Sequence, residues 1–163
     1  MRLFTFLKDL FVIKPYIEPK EFGQPLLNQM KLHEDTKESA YQDSLGYWTI
    51  GVGRLIDARK GGKLSPDEID YLLTNDLHEA HEELTKFPWY NAIDNEVRKD
   101  VLVELAFNMG VPHLLEFTDT IKAIENKQFG KACDCLRASL WAKQVKANRV
   151  NDICYRLMNG AYK

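Results

Sequence analysis

A mostly helical chain with one small antiparallel sheet near its start, the α+β class, is what this sequence predicts. Three observations carry that prediction. Tyr47 to Leu55 is rich in aromatic and β-branched residues, the composition of a pleated surface, with glycines at 51 and 53. From Ser65 onward, apolar residues recur at helical spacing, beginning with Ile69, Leu72, Leu73 and Leu77. Between the two regimes, Lys60-Gly61-Gly62-Lys63 breaks the sheet.

Taken in order, Met1 to Lys14 places Leu3, Phe4, Leu7, Leu10 and Phe11 at helical spacing. The run is far shorter than the roughly 18 residues a bilayer span needs, and no small-residue cleavage pattern follows it. Packing on the neighbouring lobe is the favoured role, with weak membrane contact through residues 1–14 as its alternative. Pro15 and Pro19 end this helix. Pro25 suits the first turn of a second helix, Leu26 to about His33, with Glu34 at its C-terminal end. Glycine within the Tyr47–Leu55 strand region is expected to let another backbone or a ligand approach closely. Ser65-Pro66-Asp67-Glu68 opens the next helix as a cap with proline in the first turn. Asp94 or Asn95 caps a helix bearing Val97, Val101, Leu102, Leu105, Ala106 and Met109, a face wide enough for a buried central helix, and Gly110 and Pro112 stop it. Three shorter helices are expected over Asp119–Asn126, Phe129–Ala138 and Asn148–Met158.

With 163 residues and 45% apolar content, the chain has one sizeable core and is short for two independent domains. Net charge is -2, which makes no case for nucleic acid. The charge is uneven: Leu64–Thr118 holds 3 Lys and Arg against 12 Asp and Glu, whereas Asp119–Lys163 holds 9 against 4. The basic end suits an anionic polymer or a solvated helical surface. Cys133 and Cys135 lie too close in the chain for an ordinary bridge, and with Cys154 they read as small core or surface residues of a reduced protein. His78 and His81 lack further ligands at matching spacing, so they read as surface helix and no metal or cofactor is implied.

Residues 34 to 54 hold the chemistry. Glu34 leaves a helix, Asp43 follows in a turn-rich stretch, and Thr49 opens the glycine-punctuated strand. Two carboxylates and a hydroxyl are the inventory for splitting a glycosidic bond: an acid for the leaving oxygen, a second carboxylate, and a group to hold water. Glu34 at a helix C-terminus meets the negative end of the dipole, which raises a carboxyl pKa. Asp43 stands in a turn-rich stretch where backbone amides and water can keep a carboxylate charged, and unequal surroundings let two acids take different roles. Nine residues separate them. A continuing helix would span about 13.5 Å and a straight strand about 30 Å, against roughly 5–9.5 Å for paired glycosidase carboxylates. The chain must therefore turn back, and Glu38-Ser39-Ala40 permits it.

The spaced run Glu34, Tyr41, Asp43, Gly46, Thr49, Gly51 and Gly53 resembles the signature of the phage-type lysozymes, the endolysins of tailed phages. Asp35 stands where that family usually has glycine, and Arg54 where it usually has histidine. The resemblance continues through Leu64-Ser65-Pro66-Asp67-Glu68, Ala106-Phe107-Asn108-Met109-Gly110, Phe117-Thr118-Asp119-Thr120, Ser139-Leu140-Trp141 and Asn148-Arg149. It implies a lysozyme-like, two-lobed architecture: a small sheet lobe, a long connecting helix and a helical lobe, with peptidoglycan bound between. Residues 1–163 would then form a single domain, with 1–24 an amphipathic extension, 25–64 the Glu helix and sheet lobe, and 65–163 the helical lobe.

By the same resemblance the chain is a muramidase cutting the β-1,4 bond between N-acetylmuramic acid and N-acetylglucosamine. Glu34 is then the acid, Asp43 activates water with inversion, and Thr49 holds that water. Leu55, Phe107 and Thr120 match saccharide-touching positions, and Arg149 matches an arginine facing the catalytic Glu. The implied partner is bacterial peptidoglycan, met by a monomeric endolysin made in the host bacterial cytoplasm and reaching the cell wall or periplasm at lysis. A lytic transglycosylase, or a catalytically silent wall-binding or virion module, are the competing readings.

Overall fold

The computed structural model describes residues 23–34 and 36–163, Glu34 by its backbone alone. The readings made for Met1 to Phe22 fall outside the described residues. The chain divides into two compact units, Met1–Lys63 and Leu64–Lys163. Among the described residues the fold is α+β and mostly helical, with one three-stranded antiparallel sheet, as expected.

In the first unit, α1 (Gln24–Glu34) has Pro25 in its first turn, where a missing amide costs nothing, and it ends on Glu34. Strands β1 (Lys37–Gln42), β2 (Trp48–Gly51) and β3 (Arg54–Leu55) form the sheet in the order β1-β2-β3. Tyr41 pairs with Thr49, and Thr49 with Leu55. Two expectations need correction here. Glu38-Ser39-Ala40 does not turn: it lies inside β1 and carries a register shift between Lys37 and Tyr41. That irregularity bends a strand without ending it. Gly51 and Gly53 sit at φ +65° and +74° with open space where a Cβ would lie. They make the tight left-handed turn between β2 and β3, which non-glycine residues disfavour, and no described backbone approaches them closely.

In the second unit, α2 (Pro66–Thr85) starts with the predicted cap: the Ser65 amide and hydroxyl both donate to Glu68, at 2.8 and 3.0 Å. After α3 (Pro88–Asn91), Asn95 rather than Asp94 caps α4 (Glu96–Met109), accepting from the Arg98 amide at 3.0 Å. Helix α4 is buried on more than one side, through Val101, Leu102, Val103, Leu105 and Ala106. Gly110, at φ +81°, ends it and opens α5 (Val111–Leu115). Helices α6 (Thr118–Glu125) and α7 (Phe129–Ala138) follow, then α8 (Leu140–Gln144), a helix not expected from the sequence, and α9 (Ala147–Asn159). Ser139 divides α7 from α8, its Oγ accepting from the Ala142 amide at 3.2 Å.

The buried apolar cluster runs from Ala80 to Leu157 and so belongs to the second unit. Cys133 lies against Cys154, not Cys135: each sulfur hydrogen-bonds the other's carbonyl, at 3.5 and 3.9 Å, and all three thiols are free. His81 contacts the buried Tyr90 hydroxyl at 2.9 Å, and His78 pairs with Glu82. Among the described residues, no helix is long and apolar enough to cross a membrane.

Candidate active site

Asp43 follows directly on β1 and closes the turn to β2 with its own carboxylate. Its Oδ1 accepts the amides of Leu45 and Tyr47, both at 2.9 Å. Its amide donates to the Tyr47 carbonyl at 2.9 Å, and the Gly46 amide donates to its carbonyl at 3.0 Å. This is the behaviour that makes aspartate a turn residue: a short acceptor that satisfies nearby backbone donors. Oδ2 carries no hydrogen bond to any described residue. One oxygen therefore holds the backbone while the other remains available to a ligand or water.

Thr49 is buried, at 4% exposure, and its hydroxyl donates to the same Tyr47 carbonyl at 3.2 Å. That carbonyl thus serves the Asp43 amide and the Thr49 hydroxyl together. The structure brings these two predicted residues to one backbone group, and Leu55, half-buried, lies opposite Thr49 in the sheet register. Glu34 belongs to the same unit as the last residue of α1, with two residues, Asp35 and Thr36, between it and the start of β1.

The other three predicted residues lie in the second unit and occupy separate places there. Phe107, on the last turn of α4, is 45% exposed and lines a cavity of about 360 Å³ whose walls carry Asp76, Glu79 and Glu83. Thr120 is buried on the first turn of α6, at the edge of a groove of about 450 Å³ shared with Phe117, Cys135 and Ser139. Cys135 and Ser139 were missed in the sequence, where nothing local joins α7 to the start of α6. Arg149 donates from Nε to Glu104 at 3.0 Å. Glu104 also accepts from Arg156, a buried arginine bonded in turn to Asp152 at 2.9 Å. Burial alone would lower the Arg156 pKa, but Glu104 and Asp152 outweigh it and hold that guanidinium above its ordinary range. Glu104 lies 45 residues from Arg149 and carries no local signal in the sequence.

Among the described residues, no three or more His, Cys, Asp or Glu side chains converge where they would hold a metal ion. The first unit holds a carboxylate with one oxygen bonded to no described residue and a hydroxyl on the Tyr47 carbonyl that the Asp43 amide shares, groups able to do acid–base and water-holding chemistry.

Comparison with known proteins agrees with this inventory. Residues 31–157 match the model of the family described as phage lysozyme. The chain is 27% identical to a probable T4-type lysozyme 1 of Dictyostelium discoideum, across 83% of this chain and 96% of that one. It is also 27% identical to a probable T4-type lysozyme 2 of the same organism, across 77% and 90%. A third relative, the pre-baseplate central spike protein Gp5 of Enterobacteria phage T4, is 26% identical across 78% of this chain and 27% of its own length. With the matched span running from the end of α1 to the end of the last helix, the chain belongs to the phage lysozyme family.

Proposed function

We propose that this chain is a peptidoglycan hydrolase, a muramidase that cleaves the β-1,4 bond between N-acetylmuramic acid and N-acetylglucosamine. Glu34 protonates the departing glycosidic oxygen as the bond to C1 breaks. A water attacks C1 from the opposite face, giving its proton to Asp43, and the anomeric centre inverts. Thr49 holds that water. Leu55, Phe107, Thr120 and Arg149 contact saccharide. The observation that carries this reading is the pairing at Tyr47: its carbonyl orients both Asp43 and Thr49 while leaving Asp43 Oδ2 open. A lytic transglycosylase would need no second carboxylate, so the pairing speaks against it.

The setting we infer is that of a monomeric endolysin, made in the host cytoplasm and reaching the wall at lysis. The likeness to a central spike protein supports a second setting, in which the enzyme is carried in the virion. The chemistry is tested by Glu34→Gln. That variant is expected to keep the wild-type circular dichroism and Tm and to lose clearing of isolated cell walls, while wild-type products carry reducing ends by mass spectrometry. Clearing at the wild-type rate by the variant, or products ending in 1,6-anhydro-muramic acid, would refute it.

A further inference from the structure

The segment between Asp43 and Thr49 is held from outside the hairpin, by residues the proposed chemistry leaves unused. Asp57 is 4% exposed, a degree of burial that carboxylates rarely reach unless paired. Its Oδ2 accepts the Trp48 amide at 3.1 Å. Its Oδ1 accepts the Arg59 amide at 2.9 Å, and the Arg59 guanidinium grips both oxygens, with Nε at 2.9 and 3.2 Å and Nη2 at 2.6 Å. The same Nη2 reaches on to the Gly46 carbonyl at 3.0 Å. The backbone doubles the connection, because the Ile56 and Asp57 amides both donate to the Trp48 carbonyl, at 2.9 and 3.1 Å. Tyr47, between these anchored residues, has Arg59 and Lys60 against its ring at 5.3 and 4.9 Å. The loop is closed tightly behind Asp57: a Cβ at Gly62 would lie 2.5 Å from the Asp57 amide nitrogen.

Gly46, Tyr47 and Trp48 are therefore all fixed by residues 56–60, and Tyr47 is the residue whose carbonyl orients Asp43 and Thr49. Asp57 is not a candidate acid itself. Its oxygens are filled by donors, and a salt bridge neutralises its charge.

We propose that Asp57 and Arg59 are positioning residues of the active site, a carboxylate–guanidinium clamp that sets the spacing of Asp43 and Thr49 by fixing Gly46–Trp48. The clamp rests on the reading of Asp43 and Thr49 given above and adds the residues that hold them in register. Against the opposing effect of burial, the Arg59 guanidinium and the Trp48 and Arg59 amides hold the Asp57 carboxyl well below the usual carboxylate range. The clamp thus stays charged wherever the enzyme would work.

Steady-state rates on soluble peptidoglycan fragments, normalised to folded protein, test the clamp in Asp57→Asn and Arg59→Gln, with Asp43→Asn alongside. A displacement of the catalytic groups by about 1 Å costs on the order of 100-fold. We expect kcat to fall about 10- to 100-fold in both clamp variants, with KM changed less than about 2-fold. A merely structural role would lower Tm and the folded fraction but leave kcat per folded molecule intact. Arg59 is largely exposed, so its variant folds even where Asp57→Asn does not. Wild-type kcat in Arg59→Gln, with activity lost in Asp43→Asn, would overturn the clamp alone. Full activity in Asp43→Asn would overturn the reading of the site and the clamp with it.

Discussion

Tyr90 carries a hydroxyl into the core of the helical unit, where only 1% of the residue is exposed and His81 supplies its hydrogen bond at 2.9 Å. Burial disfavours the phenolate, and the charges of Glu96 and Asp100 add to the effect, so the pKa is pushed up to about 12 from an ordinary value of 10.0. The folded state thus holds this proton more tightly than the unfolded chain does. Its contribution is fully present below pH 10 and is lost as pH rises toward 12, by an amount on the order of 2 kcal/mol. Tyr90→Phe cannot titrate. At pH 8 it is expected to be less stable than wild type by about 1 kcal/mol for the lost hydrogen bond. The gap should then close and reverse, as wild type falls more steeply than the variant between pH 10 and 12. Urea denaturation across that range measures this directly. A constant gap from pH 9 to 12 would mean that the phenol is not desolvated as described.

At the scale of elements, α9 depends on α4 for its ending. Arg98 on α4 donates from Nε to the Leu157 carbonyl at 2.8 Å and from Nη2 to the Met158 carbonyl at 3.2 Å, satisfying two of the acceptors a helix end leaves open. Its guanidinium also stacks 3.8 Å from the Phe129 ring centroid, tying α7 into the same joint. Arg98→Ala removes two charge-assisted bonds and a cation–π contact, for an expected loss of about 2 to 3 kcal/mol. Arg98→Lys should recover less than half, because an ammonium lacks the planar fork. Equilibrium unfolding of both variants checks this, and a loss below about 0.5 kcal/mol in Arg98→Ala would remove Arg98 as a cap. None of this joint was legible in the sequence, because its partners lie about 60 residues apart and leave no local pattern. Local signals were legible: the Ser65–Glu68 box, the Asn95 cap, the Gly110 stop and the Asp43 turn all act within five residues. Strand β1 escaped because Lys37 to Gln42 is largely exposed and polar, so neither alternation nor β-branched residues mark it. The site divides the same way. Asp43 and Thr49 stand on a local turn, whereas Glu104 beside Arg149, and Cys135 beside Thr120, are products of helix packing.

At the scale of the whole molecule, apolar burial among the described residues is unevenly placed. Every member of the buried apolar cluster lies between Ala80 and Leu157, whereas the described residues of the first unit bury only Thr49 and Asp57. Within the second unit, the acidic helices before Thr118 and the basic ones after it are joined by Asp94–Lys127, Glu104–Arg149 and Glu104–Arg156. Three cations of the basic end are thus already engaged, which leaves less of its charge for the anionic polymer that composition alone suggested. A sheet whose described residues bury no apolar side chain gains little to offset the conformational entropy of its ordering, while a core drawn from eight helices offsets it. Residues 64–163 made as a separate chain are therefore expected to fold, with helical circular dichroism, a sharp near-ultraviolet signal from Trp89 and Trp141, and a single cooperative melt. Residues 23–63 made alone should show neither near-ultraviolet structure nor a cooperative transition. A non-cooperative melt for 64–163, or a cooperative one for 23–63, would show that the stabilising interior has been placed in the wrong unit.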